Sequence, residues 1–165
     1  MRIKYLYKML LQLTKNTGKL NIIKYIRDNG TETWMYSDDF FIRHDLSHFA
    51  LEKILGYTTA FNGMINNGMD IKDFENREKR ATLTVTAEAY YAENMANLFL
   101  MEIVQGNLND FNAVQQTTFE LLQLSFPKIM IPDGKLNEIR LYLQQLLQQW
   151  KELPAGETLE LSFSL

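Results

Sequence analysis

The stretch LNIIKYIRDNGTETWMY, residues 20–36, decides the fold class. β-Branched and aromatic side chains dominate both of its halves, which favours two strands. Between them Asp28-Asn29-Gly30 indicates a tight hairpin, because Asn and Gly tolerate the positive φ angles of a type I′ turn. Alternating apolar side chains over residues 9–14 predict one more strand before this hairpin. We therefore expect the chain to begin with an antiparallel meander.

The rest of the chain predicts helices followed by a closing strand. Apolar residues recur about every 3.6 positions, and Gly or Pro lies close behind each run. The predicted helices cover residues 44–55, 59–67, 86–105, 109–125 and 134–152, with an exposed charged connector over 70–84. Strict alternation from Leu159 to Leu165 predicts the last strand. We expect a single α+β domain over residues 1–165, in which this strand joins the N-terminal meander and about five helices cover the antiparallel sheet.

Composition excludes several classes of function. The chain has 165 residues and no Cys, so disulfide frameworks, thiol nucleophiles and Cys-type zinc sites are excluded. Its net charge is -3 and it has no long Lys/Arg-rich run, so we expect no nucleic acid partner. No run of about 18 apolar residues and no signal-peptide pattern occur, so we expect no membrane partner and a cytoplasmic location.

A heptad-like repeat marks the last predicted helix. Its members follow each other at spacings of 3 and 4, with glutamines between them: Leu136, Ile139, Leu143, Leu146, Trp150 and Leu153. Such a seam must pack against another helix. Two partners are open from the sequence: a helix of the same chain, which makes the seam core, or a second copy, which makes it a homodimer contact. In the second case the protein is a homodimerising interaction module.

Both histidines of the chain lie in the segment RHDLSHFALE, residues 43–52. On a helix, at 100° per residue, His44, Asp45, His48 and Glu52 share one sector. This sector holds no Lys or Arg and has apolar borders, which favours a sheltered pocket wall over a solvated face. Imidazoles at positions i and i+4 can also bind one metal ion.

A third ligand for such an ion has to come from another element. Glu52 is too far from His44 for this role, since eight residues span about 12 Å along a helix. Glu88 lies on the apolar stripe of the helix predicted over 86–105, where a carboxylate needs a partner. Glu93 lies at the edge of that stripe, and we expect it to be a surface residue.

Three roles for the cluster follow from these residues. As a metal site, His44, His48 and Glu88 bind a divalent ion such as zinc, with Asp45 and Glu52 orienting the imidazoles. A water bound to that ion gives metal-dependent hydrolysis as the enzyme alternative. Without metal, the same groups form either a structural polar network or an acid–base site for a small-molecule ligand.

The HDLxHxxxE pattern of residues 44–52 resembles a group of small bacterial proteins without assigned activity. Further matching pieces are residues 28–34, 61–68 and 150–161. The resemblance implies a bacterial, cytoplasmic protein. It implies no particular substrate, cofactor or catalytic residue.

Overall fold

A four-stranded antiparallel sheet forms one layer of the protein. The structure is a computed structural model that describes residues 8–165. Its strands are β1 (Lys8–Thr14), β2 (Asn21–Ile26), β3 (Glu32–Ser37) and β4 (Thr158–Ser164), in the order β3-β2-β1-β4. Leu11 of β1 lies opposite Tyr25 of β2 on one side and Leu161 of β4 on the other. The predicted α+β class, with the C-terminal strand joined to the meander, is confirmed.

The hairpin between β2 and β3 differs from the predicted type I′ turn. The Arg27 N–H donates to the Thr31 carbonyl at 2.8 Å, and the Gly30 N–H donates to the Arg27 carbonyl at 2.9 Å. Gly30 has a φ of 84°, whereas Asn29 is not in the positive-φ region. A type I′ turn needs positive φ at two successive residues, so the prediction was wrong. The loop has three residues and ends in a glycine bulge.

Among the described residues, six α-helices lie between β3 and β4 in the chain. They are α1 (Asp39–Leu55), α2 (Phe61–Asn66), α3 (Arg77–Thr82), α4 (Ala87–Gln105), α5 (Phe111–Leu121) and α6 (Asp133–Glu152). Helix α1 begins five residues before its predicted start, because the Asp38 carboxylate accepts a hydrogen bond from the Phe41 N–H and caps the helix. Its histidines therefore lie well inside the helix rather than at its frayed first turn. Within residues 8–165, no helix has the length and apolar character needed to cross a bilayer.

Helix α1 is the central helix of the core. It packs against α4 on one side and α6 on the other. Its buried stretch includes apolar Leu46 and Phe49 as well as polar Asp45, His48 and Glu52. The polar residues of α1 thus lie inside the molecule, next to α4.

The heptad-like seam of α6 belongs to this core. Five of its six members are buried, namely Leu136, Ile139, Leu143, Leu146 and Trp150. Leu153 is half-buried and packs against the same core. Because α6 packs against α1, the helix that the seam requires is supplied by the same chain.

The segment predicted as an exposed connector, residues 70–84, is partly ordered secondary structure that packs against β3. It contains a 3₁₀ turn over Ile71–Phe74 and the short helix α3. Ile71 is buried, and its N–H donates to the Thr33 hydroxyl at 3.1 Å. Arg27 holds the start of the segment through an ion pair with Asp70 at 2.9 Å. Charge alone suggested a solvated connector, whereas its few apolar residues attach it to β3.

Candidate functional site

Three side chains with metal-ligating atoms meet where α1 faces α4. His48 Nε2 lies 2.9 Å from Glu93 Oε2, and His44 Nε2 lies 3.4 Å from Glu93 Oε1. One ligand atom from each of the three residues lies within 4.8 Å of the other two. The two imidazole rings are 4.7 Å apart between centroids. The i, i+4 spacing of the histidines therefore directs both Nε2 atoms to one carboxylate.

The other nitrogen of each imidazole faces a buried carboxylate. His44 Nδ1 is 3.6 Å from Asp45 Oδ1, and His48 Nδ1 is 3.7 Å from Glu52 Oε2. Asp45 and Glu52 are 5% and 0% exposed. Both distances exceed those of a formed hydrogen bond, and His48 Nδ1 has no hydrogen-bond partner among the described residues.

The buried carboxylates are held by neighbours on other elements. The Tyr25 hydroxyl of β2 donates to Asp45 Oδ2 at 3.1 Å. The Asn62 N–H of α2 donates to Glu52 Oε1 at 3.2 Å, and the Asn62 side-chain amide donates to Glu52 Oε2. The sheet and α2 thus fix the acidic groups that lie behind the histidines.

Gly63 allows α2 to sit where Asn62 can reach Glu52. A Cβ atom at this position would lie 1.8 Å from the carbonyl oxygen of Thr58, closer than any real contact. The sequence places a glycine inside this short helix, and the close approach of backbone to backbone is its physical reason.

Glu88, the third ligand expected from the sequence, is engaged elsewhere. Its Oε1 accepts hydrogen bonds from the Thr58 N–H at 3.0 Å and from the N–H and hydroxyl of Thr59 at 2.9 and 2.8 Å. Glu88 therefore stabilises the loop before α2. The carboxylate that the structure brings to the imidazoles is Glu93.

Glu93 was expected to be a surface residue, and its side chain is indeed 56% exposed. One edge of this half-exposed carboxylate faces the histidines. One feature of the sequence points to Glu93: the polar residue Asn97 follows it at i+4. In the structure the Asn97 amide donates to Glu93 Oε1 at 3.2 Å. This pair extends a polar edge along the apolar stripe of α4.

The electrostatics of the cluster favour protonated imidazoles in the absence of metal. Burial lowers the pKa of His48, but Glu52 and Glu93 outweigh it and raise that pKa to about 10. Burial and His48 lower the pKa of His44, yet Asp45 and Glu93 raise it overall. Burial raises the pKa of Glu93, whereas both histidines hold it well below its usual range. A metal ion must therefore displace protons from the imidazoles.

The cluster lies in the wall of a cleft with a volume of about 690 Å³. His44 is partly exposed and His48 is buried, so the cleft reaches the cluster from the side of His44 and Glu93. Most of the remaining lining is apolar, and its aromatic and sulfur-containing members are Met35, Phe40, Phe41, Phe61, Met64, Phe74 and Tyr90. Part of it comes from the segment 70–84 that closes this side of the molecule.

A second cleft of about 740 Å³ lies between α4 and α6. Two ion pairs lie in its wall, Arg43 with Asp39 and Arg140 with Glu102. Arg140 donates to the Glu102 carboxylate at 2.6 Å, and the Trp150 indole N–H donates to Asp39 at 2.8 Å. We place the candidate site in the first cleft, where the ligating atoms converge.

Comparison of the chain with protein-family models, with curated proteins and with solved structures gave no match. The chemistry of the site therefore rests on its own geometry.

Proposed function

We propose that the protein binds a divalent metal ion such as Zn²⁺ through His44 Nε2, His48 Nε2 and the Glu93 carboxylate. The observation that supports this proposal is the two-sided arrangement of the imidazoles. Both Nε2 atoms converge on Glu93, while each Nδ1 faces a buried carboxylate. Metal-bound histidines usually donate their second N–H to such a group, which fixes the tautomer and the ring orientation.

The spacing of the ligand atoms is compatible with one ion. Bonds of about 2.0–2.2 Å to a tetrahedral ion place neighbouring ligand atoms roughly 3.4 Å apart. The two distances from Glu93 to the histidines are 2.9 and 3.4 Å. One ligand atom from each of the three residues lies within 4.8 Å of the other two, so these flexible side chains need to draw closer together to bind the ion.

Asp45 and Glu52 have the positioning role in this proposal. Their carboxylates accept the Nδ1 protons, leaving both Nε2 lone pairs free for the metal. Tyr25 and Asn62 hold these carboxylates in place from β2 and α2.

Metal-dependent hydrolysis is a second candidate function. Three protein ligands leave a coordination position for water, and catalytic zinc sites use two histidines and one glutamate in this way. The cleft beside His44 and Glu93 gives a substrate access to that position. The same donor set also suits Fe²⁺, so both ions belong in the test.

Metal titration of matched variants tests the proposal. Protein without a histidine tag is titrated with Zn²⁺ or Fe²⁺ by calorimetry against a competing chelator. We expect one ion per chain for the wild type and for the control Glu88→Gln, because glutamine can still accept the hydrogen bonds from Thr58 and Thr59. Glu93→Gln should bind at least about tenfold more weakly, because it removes a direct ligand.

The opposite results distinguish the metal site from a structural network. Equal affinity of Glu93→Gln and wild type would place the ion elsewhere. An absence of saturable binding in the wild type would leave the cluster as an imidazolium–carboxylate network that holds α1 against α4.

A further inference from the structure

Apolar side chains form most of the lining of the cleft beside the proposed metal site. Its volume of about 690 Å³ lies within the range of small-molecule sites. Phe40 and Phe41 line it from the first turn of α1 and are 57% and 46% exposed. Rings left facing water at a cleft mouth gain free energy when an apolar ligand covers them. The walls therefore favour a ligand with an aromatic or other apolar body.

The inner wall of the cleft continues this surface up to the histidines. The Phe61 ring lies 5.1 Å from the His48 ring and 4.6 Å from the Phe74 ring, measured between centroids. An apolar body in contact with the Phe61 ring therefore lies beside the His48 imidazole. Such a ligand can present one donor atom to the ion while its body covers the aromatic wall.

The charges around the cluster disfavour an anionic ligand. Asp45, Glu52 and Glu93 supply three negative charges, and a divalent ion with neutral imidazoles neutralises two of them. In the same wall Glu75 is accompanied by Arg80, so this pair adds no net charge. The site with its ion remains net negative, and an acid would be repelled by it.

We infer that the ligand of this cleft is an uncharged small molecule with an aromatic or similar apolar body and one metal-binding donor atom. This inference rests on the proposed metal site and adds the class of its ligand. The apolar body contacts the Phe40, Phe61 and Phe74 wall, and the donor atom takes the open position on the ion.

Cobalt-substituted protein allows the inference to be tested without an enzyme assay. Ligand binding to Co²⁺ changes its visible absorption, and the probes are 4-phenylimidazole, imidazole and phenylacetate. At about pH 8 both imidazoles are mainly uncharged. We expect 4-phenylimidazole to bind at least about tenfold more tightly than imidazole, because the walls bury its ring. Phenylacetate, which carries the ring and a negative charge, should bind more weakly than 4-phenylimidazole.

Two exposed aromatic residues provide a matched pair of variants. Phe40→Ser should weaken 4-phenylimidazole severalfold and leave imidazole unchanged, because only the larger probe reaches this ring. Tyr36→Ser changes an aromatic residue that is 56% exposed and does not line the cleft, so both affinities should stay the same.

A wrong ligand class and a wrong metal site give different results in this experiment. Equal affinities for the two imidazoles, tighter binding of phenylacetate, or no effect of Phe40→Ser would each overturn the inference while leaving Co²⁺ bound and the metal site intact. Failure of the wild type to bind Co²⁺ at all would overturn the proposed function and this inference with it.

Discussion

His48 makes the stability of the metal-free protein depend on pH above neutrality. Burial lowers its pKa, but the carboxylates of Glu52 and Glu93 raise that pKa from 6.5 to about 10. Below pH 6.5 the folded and unfolded chains both hold the proton, so the pairing of His48 contributes its full stabilisation. As the pH rises from there to about 10, the unfolded chain releases the proton first, and this contribution is progressively lost.

The size of the effect follows from one proton. A difference of one bound proton lowers the free energy of unfolding by roughly 3 kcal/mol over two pH units. We predict this loss between about pH 7 and about pH 9 for the wild type in the presence of a chelator, followed by urea unfolding. The control is His48→Gln, which keeps a polar side chain of similar size but does not titrate.

The comparison with His48→Gln separates this residue from other titrating groups. The wild type should lose roughly 3 kcal/mol more stability than the variant across the same pH interval. If the wild type and His48→Gln lose the same free energy of unfolding over this interval, the proton on His48 is not coupled to folding.

Two further predictions concern the packing that positions the site, and both are measured by urea unfolding at neutral pH. Gly63→Ala should destabilise the protein by about 2–3 kcal/mol, because its Cβ would lie 1.8 Å from the Thr58 carbonyl oxygen. The control Gly134→Ala places its Cβ in open space and should be neutral or slightly stabilising. A Gly63→Ala protein with the stability of the wild type would contradict the close approach of Gly63 to the Thr58 carbonyl. Leu146→Ala should cost about 2–5 kcal/mol, since Leu146 is buried in the α6 seam, and Leu141→Ala, 62% exposed, should cost about 0.5 kcal/mol or less. Equal costs would place the seam outside the core.

The sequence predicted the layers of the fold because they depend on local periodicity. Alternation over residues 9–14 and 159–165 and the 3.6-residue period of α4 and α6 each reflect a face that must be buried. The start of α1 was missed, since Asp38 and Asp39 favour a turn as readily as a helix cap. The hairpin type was missed because Asn-Gly fits both a type I′ turn and a loop in which Gly30 alone has a positive φ.

The candidate site was predicted in part for a different physical reason. His44, Asp45, His48 and Glu52 share one helix, so their common face follows from helix geometry alone. The carboxylate proposed as the third ligand lies on another helix, and the rotation of α4 about its own axis is set by packing against α1 and the loop before α2. Periodicity locates the apolar stripe of α4 but not which of its edges meets the histidines. Glu88 was therefore expected where Glu93 lies.

Anomalous X-ray scattering from crystals grown with Zn²⁺ locates the bound ion and thereby tests the proposed metal site. We expect a single zinc peak per chain within about 2.0–2.2 Å of His44 Nε2, His48 Nε2 and a Glu93 oxygen, with both Nδ1 atoms hydrogen-bonded to Asp45 and Glu52. A peak at another position, or none at the histidines in crystals that contain zinc, would contradict it.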